Sequence, residues 1–192
     1  MILFNKRNYP EFSNFPPCSV NVGGRLYKNS EAAFQHGKLV DGHTDDRFLN
    51  ATGSEAKKMG KTVPLRPDWE KIKYEHMKTV LYAKFSQNPE LKEKLLATGQ
   101  EWLVEDTTAW HDNVWGACGC SRCVNKQSYN LLGQALMEVR SKLRNDEGCP
   151  IYIDWVARDI QCEFDLVGDE VADMKKEGTW NNMLNNLNRV IK

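Results

Sequence analysis

NSEAAFQHGKL, residues 29–39, is the stretch on which the reading of the fold turns. Asn29 and Ser30 can cap a helix running from Glu31 to about Leu39, because a short polar side chain satisfies the first free backbone N–H groups. On that helix Glu31, Gln35 and Lys38 are spaced i, i+4, i+7 and share one face. Taken by itself, Glu31 reads as a capping carboxylate favoured by the helix dipole. Whether it is more than that depends on what surrounds it.

Upstream, residues 1–28 read as short strands and turns, with NVGG (21–24) as a turn ahead of Arg25-Leu26-Tyr27. Downstream, Thr52 with Glu55 three residues on is a capping box opening a second short helix, which Gly60 ends. Pro67-Asp68 starts a longer helix from Trp69 to about Ser86, with Trp69, Ile72, Met77, Val80, Leu81 and Phe85 as its buried stripe. Asn88-Pro89 is a cap and first-turn proline for a helix that Gly99 closes. EWLVE (101–105) has the pattern of a strand. Residues 130–143 form an amphipathic helix through Leu132, Ala135, Leu136, Val139 and Leu143, with Asn130 as its cap. Beyond a break near 145, IYIDWV and IQCEFDLV read as paired strands and residues 179–192 as a polar helix. The chain therefore divides into a core of 1–145 and an extension of 146–192 packed on the same domain.

The 192 residues suffice for one well-filled domain. The 26 basic and 26 acidic side chains cancel, which disfavours a broad grip on a polyphosphate backbone but leaves a nucleotide-sized ligand open. No apolar run approaches a membrane span or a signal-peptide core, so neither membrane nor export is expected. Three of the six cysteines crowd into one loop, a poor layout for a disulfide framework; reduced thiols and a cytoplasmic location are expected. No GxGxxG or GxxxxGK[ST] is present to support a Rossmann or P-loop enzyme.

Several short motifs then follow one another in a telling order. They are FSNF (12–15), SEAAFQ (30–35) with Lys38, EAK (55–57) with MG (59–60), and DW (68–69). Met77 precedes KFSQN (84–88), after which come LLATG (95–99), LVE (103–105), WG (115–116), and LG (132–133) through LMEVR (136–140). The ordered set resembles the YbiA/NADAR family of N-glycosidases over roughly residues 10–143. The resemblance implies a compact, helix-rich α+β fold with a small β component, and cleavage of an N-glycosidic bond to ribose with no cofactor required. It implies as substrate either ADP-ribose attached to guanine, in nucleotides or in nucleic acid, or phosphoribosylamino-pyrimidine intermediates of riboflavin synthesis. No protein partner is implied. Where many members carry a glycine- and aspartate-rich loop after Trp-Gly, this chain has Ala117-Cys118-Gly119-Cys120-Ser121-Arg122-Cys123.

Breaking a ribosyl C–N bond builds positive charge on the sugar and negative charge on the departing base. A carboxylate near the anomeric carbon stabilises the cation or takes a proton from water. Within the resembled motif Glu31 takes that role, beside Gln35. Lys57 either attacks the anomeric carbon to form a Schiff base or binds phosphate, against the plain alternative of a solvated helix lysine. Asp112 and Glu105 are further acids or ribose ligands, with a structural role as the alternative. Trp69 and Trp115 offer flat faces for a base; Trp69 also fits the apolar stripe, and Gly116 beside Trp115 permits close backbone approach. Phe34 is core or pocket floor. Asn14 bonds a ribose hydroxyl or its own turn, and Asn130 contacts ligand or caps its helix.

Cys118, Cys120 and Cys123 supply three soft ligands, with His111 or Cys149 as a fourth; a structural zinc and three free thiols stand as alternatives. Against an enzyme stands a sensor that binds ADP-ribose or a nucleotide without turnover.

Overall fold

The computed structural model describes residues 1–40 and 43–146. The expected strands and helix of the 146–192 extension lie outside the described residues, apart from Asp146 at the end of the last helix. The described chain divides into two units, 9–100 with 135–146 and 1–8 with 101–134. It mixes helices with a few short strands, the α+β class expected. No described helix is long and apolar enough to cross a membrane.

The first unit opens with the hairpin β2 (Val20–Val22) and β3 (Arg25–Tyr27), following β1 (Ile2–Phe4) of the other unit. Gly23 and Gly24 connect the strands at φ 58° and 79°, the paired left-handed conformations a two-residue hairpin turn needs. α1 spans Ser30–His36; the Asn29 side chain accepts the Ala32 N–H at 2.9 Å, as the sequence predicts. The helix stops three residues short of the expected Leu39. Leu39 instead bridges to Leu65, and the Arg66 N–H reaches the Lys38 carbonyl at 2.9 Å, so tertiary pairing pulls this segment out of the helix. His36 closes α1: its Nε2 accepts the Asp45 N–H at 3.3 Å, which leaves Nδ1 to carry the hydrogen toward the Tyr27 oxygen at 2.6 Å. Burial lowers the His36 pKa, consistent with this neutral ring.

α2 (Arg47–Asn50), a single turn with no sequence signature, places Phe48 fully inside. α3 (Gly53–Met59) starts on the Thr52–Glu55 capping box, with both reciprocal bonds present. Tyr27, Ala32, Ala33, Leu39, Phe48, Ala51, Ala56 and Val80 form one apolar cluster that joins α1, α2, α3 and α4 (Trp69–Gln87). The predicted stripe of α4 is buried except for Ile72, which is half-buried.

α5 (Pro89–Ala97) packs against α4 and ends before Gly99, whose φ of 61° is the left-handed stop expected of it. Asn88 stands at the N-cap of α5 with Pro89 in the first turn, as read, and its carbonyl accepts the Lys92 N–H at 3.0 Å. Its side-chain amide makes no cap bond and donates backward, to the Lys84 carbonyl at 2.7 Å and the Ser19 carbonyl at 2.9 Å. The later part of α6 (Leu131–Asp146) docks by polar bonds: Arg140 to Thr98 Oγ1 at 2.7 Å, and Tyr74 and Lys78 to Glu138 at 2.5 and 2.8 Å.

In the second unit β1 pairs in parallel with β4 (Leu103–Glu105), Ile2 opposite Leu103 and Phe4 opposite Glu105. Asn130 precedes α6 as expected, but at φ 51° and with its side chain turned to β4. Its Oδ1 accepts the Glu105 N–H at 3.0 Å and its Nδ2 donates to the Leu103 carbonyl at 2.9 Å. The amide is spent on a strand, which corrects the reading of a helix cap.

Candidate functional site

All seven residues of α1 are buried, Glu31 among them at 6% exposure, so Glu31 is not a solvated capping carboxylate. A buried carboxylate needs partners. Gln35, one turn on, donates Nε2–H to Glu31 Oε1 at 2.8 Å, and the Glu31 N–H reaches the Asn14 carbonyl at 3.0 Å. The i, i+4 spacing read from the sequence thus becomes a direct bond. Asn14 and Gln35 are themselves buried, and the side-chain carbonyl oxygens of both, Asn14 Oδ1 and Gln35 Oε1, lack a donor. Orphaned buried acceptors are rare in folded proteins. Both belong to residues that are hydrogen-bonded to Glu31. Asn14 Nδ2 points at the Met77 sulfur, 3.3 Å away.

Gly60 ends α3 at φ −62°, ordinary helical backbone, so its glycine is not there for a left-handed stop. A Cβ at this position would stand 1.9 Å from Gln35 Oε1. The missing side chain makes room for the amide that orients Glu31.

Lys38 is half-buried and Lys57 exposed. Burial is the main influence lowering the Lys38 pKa; the Glu31 carboxylate opposes it and the Lys57 ammonium adds to it, so the three charges feel one another. Lys57 Nζ lies 5.5 Å from the Phe15 ring centroid and Lys38 Nζ 5.7 Å from that of Trp69. Phe34 and Trp69 are each 5% exposed, with ring centroids 5.2 Å apart, and both contact the His76 ring. They form an apolar backing to α1, with Trp69 in the stripe position foreseen as its alternative.

Lys84, which sequence reasoning did not place in the site, is 1% exposed and donates to the carbonyls of Glu11 and Ser13 at 2.6 and 2.7 Å. It fixes the turn that delivers Asn14. Its advance signals were its place at the head of the KFSQN motif and a charged residue breaking the apolar end of α4 beside Phe85. Burial pushes its pKa down to about 8.

The other predicted residues lie in the second unit. Asp112 Oδ1 accepts the N–H groups of Val114 and Trp115 at 2.8 and 3.0 Å, a loop-organising turn. Trp115 is half-buried. Gly116 is buried with its Cα face against Thr107 Cγ2 and the Glu105 carbonyl, 2.3 and 2.7 Å from a would-be Cβ, so the close approach its missing side chain allows here is to the protein's own β4 and loop. Glu105 is half-buried at the end of β4. The three loop cysteines gather around His111, all four ligand atoms within 4.8 Å of one another. Cys149 lies outside the described residues.

Comparison with known proteins converges on one family. The model of the NADAR domain matches residues 3–144. An N-glycosidase YbiA from Shigella boydii serotype 4 is 37% identical over 139 residues, 71% of this chain and 82% of that protein. A riboflavin biosynthesis protein of Vibrio vulnificus is 33% identical over 140 residues, 71% of this chain and 36% of its own length. The NMR structure of Escherichia coli YbiA superposes with a TM-score of 0.65 at 34% identity, covering 76% of this chain and 86% of that one.

Proposed function

Since the chain belongs to the NADAR domain family, we propose that it is a hydrolase that cuts the N-glycosidic bond between ribose and guanine, releasing ADP-ribose. The observation that carries this is buried Glu31, bonded to Asn14 and Gln35, two buried residues whose side-chain oxygens, Asn14 Oδ1 and Gln35 Oε1, have no donor. Neighbouring hydroxyls of a ribose are donors of the kind those oxygens lack. A sugar held there brings its anomeric carbon to the carboxylate. As the C1′–N bond breaks, Glu31 stabilises the oxocarbenium-like transition state and takes a proton from the attacking water; the water oxygen joins C1′ as the hydroxyl, the departing base nitrogen takes a proton from solvent, and Glu31 returns its own to solvent. Lys38 and Lys57 supply positive charge for the diphosphate. Exposed Lys57 is set as an anion clamp rather than as a desolvated amine nucleophile.

The name of the Vibrio vulnificus relative favours a second reading, in which the same residues hold a phosphoribosylamino-pyrimidine. The experiment offers the protein ADP-ribosylated guanine nucleotide, the same adduct in DNA, and the pyrimidine intermediate, with products separated by chromatography. Release of ADP-ribose by the native chain and not by Glu31→Gln is the expected result. Turnover of the pyrimidine alone moves the assignment to the second reading. ADP-ribose binding with no turnover of any substrate overturns both in favour of a sensor.

A further inference from the structure

We propose that the loop from Thr107 to Leu131 is closed by a structural zinc ion, held by His111 Nδ1 and the thiolates of Cys118, Cys120 and Cys123. The four ligand atoms lie within 4.8 Å of one another. From His111 Nδ1 the sulfurs of Cys118, Cys120 and Cys123 stand at 3.4, 3.2 and 4.0 Å, and the Cys118 and Cys120 sulfurs are 3.3 Å apart. A tetrahedral ion with Zn–S bonds of about 2.3 Å and a Zn–N bond of about 2.0 Å places its ligands about 3.5–3.8 Å apart. The observed separations bracket that range, and all exceed the bond length of about 2.05 Å that a disulfide would require.

The loop is built to hold these side chains in place. His111 sits at φ 62°, a left-handed conformation uncommon for a residue with a side chain, and its N–H is tied to the Thr107 carbonyl at 2.8 Å. Asn113 Oδ1 accepts both the Cys118 N–H at 3.0 Å and the Ser128 hydroxyl at 2.7 Å. Thr108 Oγ1 accepts the Gly119 N–H at 3.1 Å, and the Cys120 carbonyl receives the N–H groups of Cys123 and Val124, both at 2.9 Å. Two of the thiols, Cys118 and Cys123, are buried, so the ion would sit at the inner side of the loop.

Four protein ligands leave no open position, so the ion is structural and not catalytic. Binding releases the three thiol protons, and three thiolates with a neutral imidazole give the centre one net negative charge. With Nδ1 on the metal, His111 Nε2 keeps its hydrogen. The Arg122 guanidinium now beside Nε2 then turns off the ring toward that negative charge.

The test uses the full chain purified without chelator or added metal. Elemental analysis is expected to find about one zinc per chain, and cobalt substitution to give the thiolate charge-transfer and visible bands of a tetrahedral centre. Cys120→Ser with Cys123→Ser is expected to abolish both. His111→Ala is expected to shift the cobalt spectrum, and Cys149→Ser to leave it unchanged. Because the cobalt spectrum is read on the unmodified chain, failure of a variant to fold leaves the proposal testable. The proposal is overturned if the native chain binds neither metal and its loop thiols react freely with a disulfide reagent. A loss of mass corresponding to a disulfide within 118–123 also overturns it. A cobalt spectrum lost in Cys149→Ser and kept in His111→Ala overturns the assignment of His111. None of these readouts depends on glycosidase activity.

Discussion

The polar cluster around Glu31 and the loop around His111 are assembled by different means. In the cluster, α1 presents Glu31 and Gln35 one turn apart, and the apolar residues Ala32, Ala33, Phe48, Ala56 and Val80 hold the helix down. The polar groups of the cluster ride on an element that stays folded for reasons of its own. The loop between Thr107 and Leu131 contains no regular helix or strand. Asp112, Asn113 and Thr108 hold it by bonds from side chain to backbone, and its sulfurs and imidazole face inward on one another. Packing energy is spread over many contacts and tolerates the loss of one, whereas a loop of polar bonds depends on each partner.

Several variants would break or sharpen this contrast. The largest effect is expected from Glu31→Gln, which keeps the shape and the neighbour to Gln35 but removes the base. Turnover should fall by about 100- to 10,000-fold while the thermal midpoint stays close to that of the native chain. Retained turnover would show that the buried Glu31 carboxylate is not the catalytic one. Phe48→Ala removes a fully buried ring from the cluster under α1 and should cost about 3–5 kcal/mol in chemical denaturation, because α1 is held by its apolar core.

Gly60→Ala should cost less, about 1–3 kcal/mol, because the new methyl displaces the Gln35 amide. Its turnover should nevertheless drop out of proportion to the stability lost. Were activity unchanged, Gln35 would have no part in orienting Glu31.

Lys84 offers a pH-dependent test. Burial places its folded pKa at about 8, below the value of about 10.4 for a lysine in an unfolded chain. Between those two values the unfolded chain binds a proton that the native chain does not, so this group makes stability rise with pH across that window. Below pH 8 its contribution is level, and the cost of burying the charge is fully present. Lys84→Met lacks the group and strands the carbonyls of Glu11 and Ser13. The stability gap between native and variant chains should therefore widen from pH 8 to pH 10, measured by denaturation at matched ionic strength. A gap that narrows would show that the two carbonyls hold the ammonium charged. The smallest effect on folding is expected for Lys57→Ala, within about 0.5 kcal/mol because Lys57 is exposed, with KM raised more than kcat is lowered.

Legibility in the sequence followed the same divide. The Thr52–Glu55 capping box, the Gly23-Gly24 turn and the stripe of α6 rest on bonds between near neighbours or on helical periodicity, and each is found as read. Where a distant segment competes, local signals mislead. Leu39 leaves α1 to pair with Leu65, and the side chain of Asn88, at the N-cap of α5, turns back to α4 and to Ser19. Asn130 clamps β4, 25 residues upstream. Gly60 was legible as a glycine that ends a helix, but not as the space for Gln35.

By itself the sequence determined the longer helices, the ordered family motifs and the residue types an N-glycosidase draws on, but not α2 or the end of α1. Local hydrogen bonding and hydrophobic periodicity are written into nearest neighbours. Only the tertiary structure decided that Glu31 is buried, that the side-chain oxygens of Asn14 and Gln35 are buried without a donor, that Lys84 anchors the turn carrying Asn14, and that His111 faces three cysteines. Burial and encounters between distant residues depend on how the whole chain packs, and no spacing along one segment encodes them.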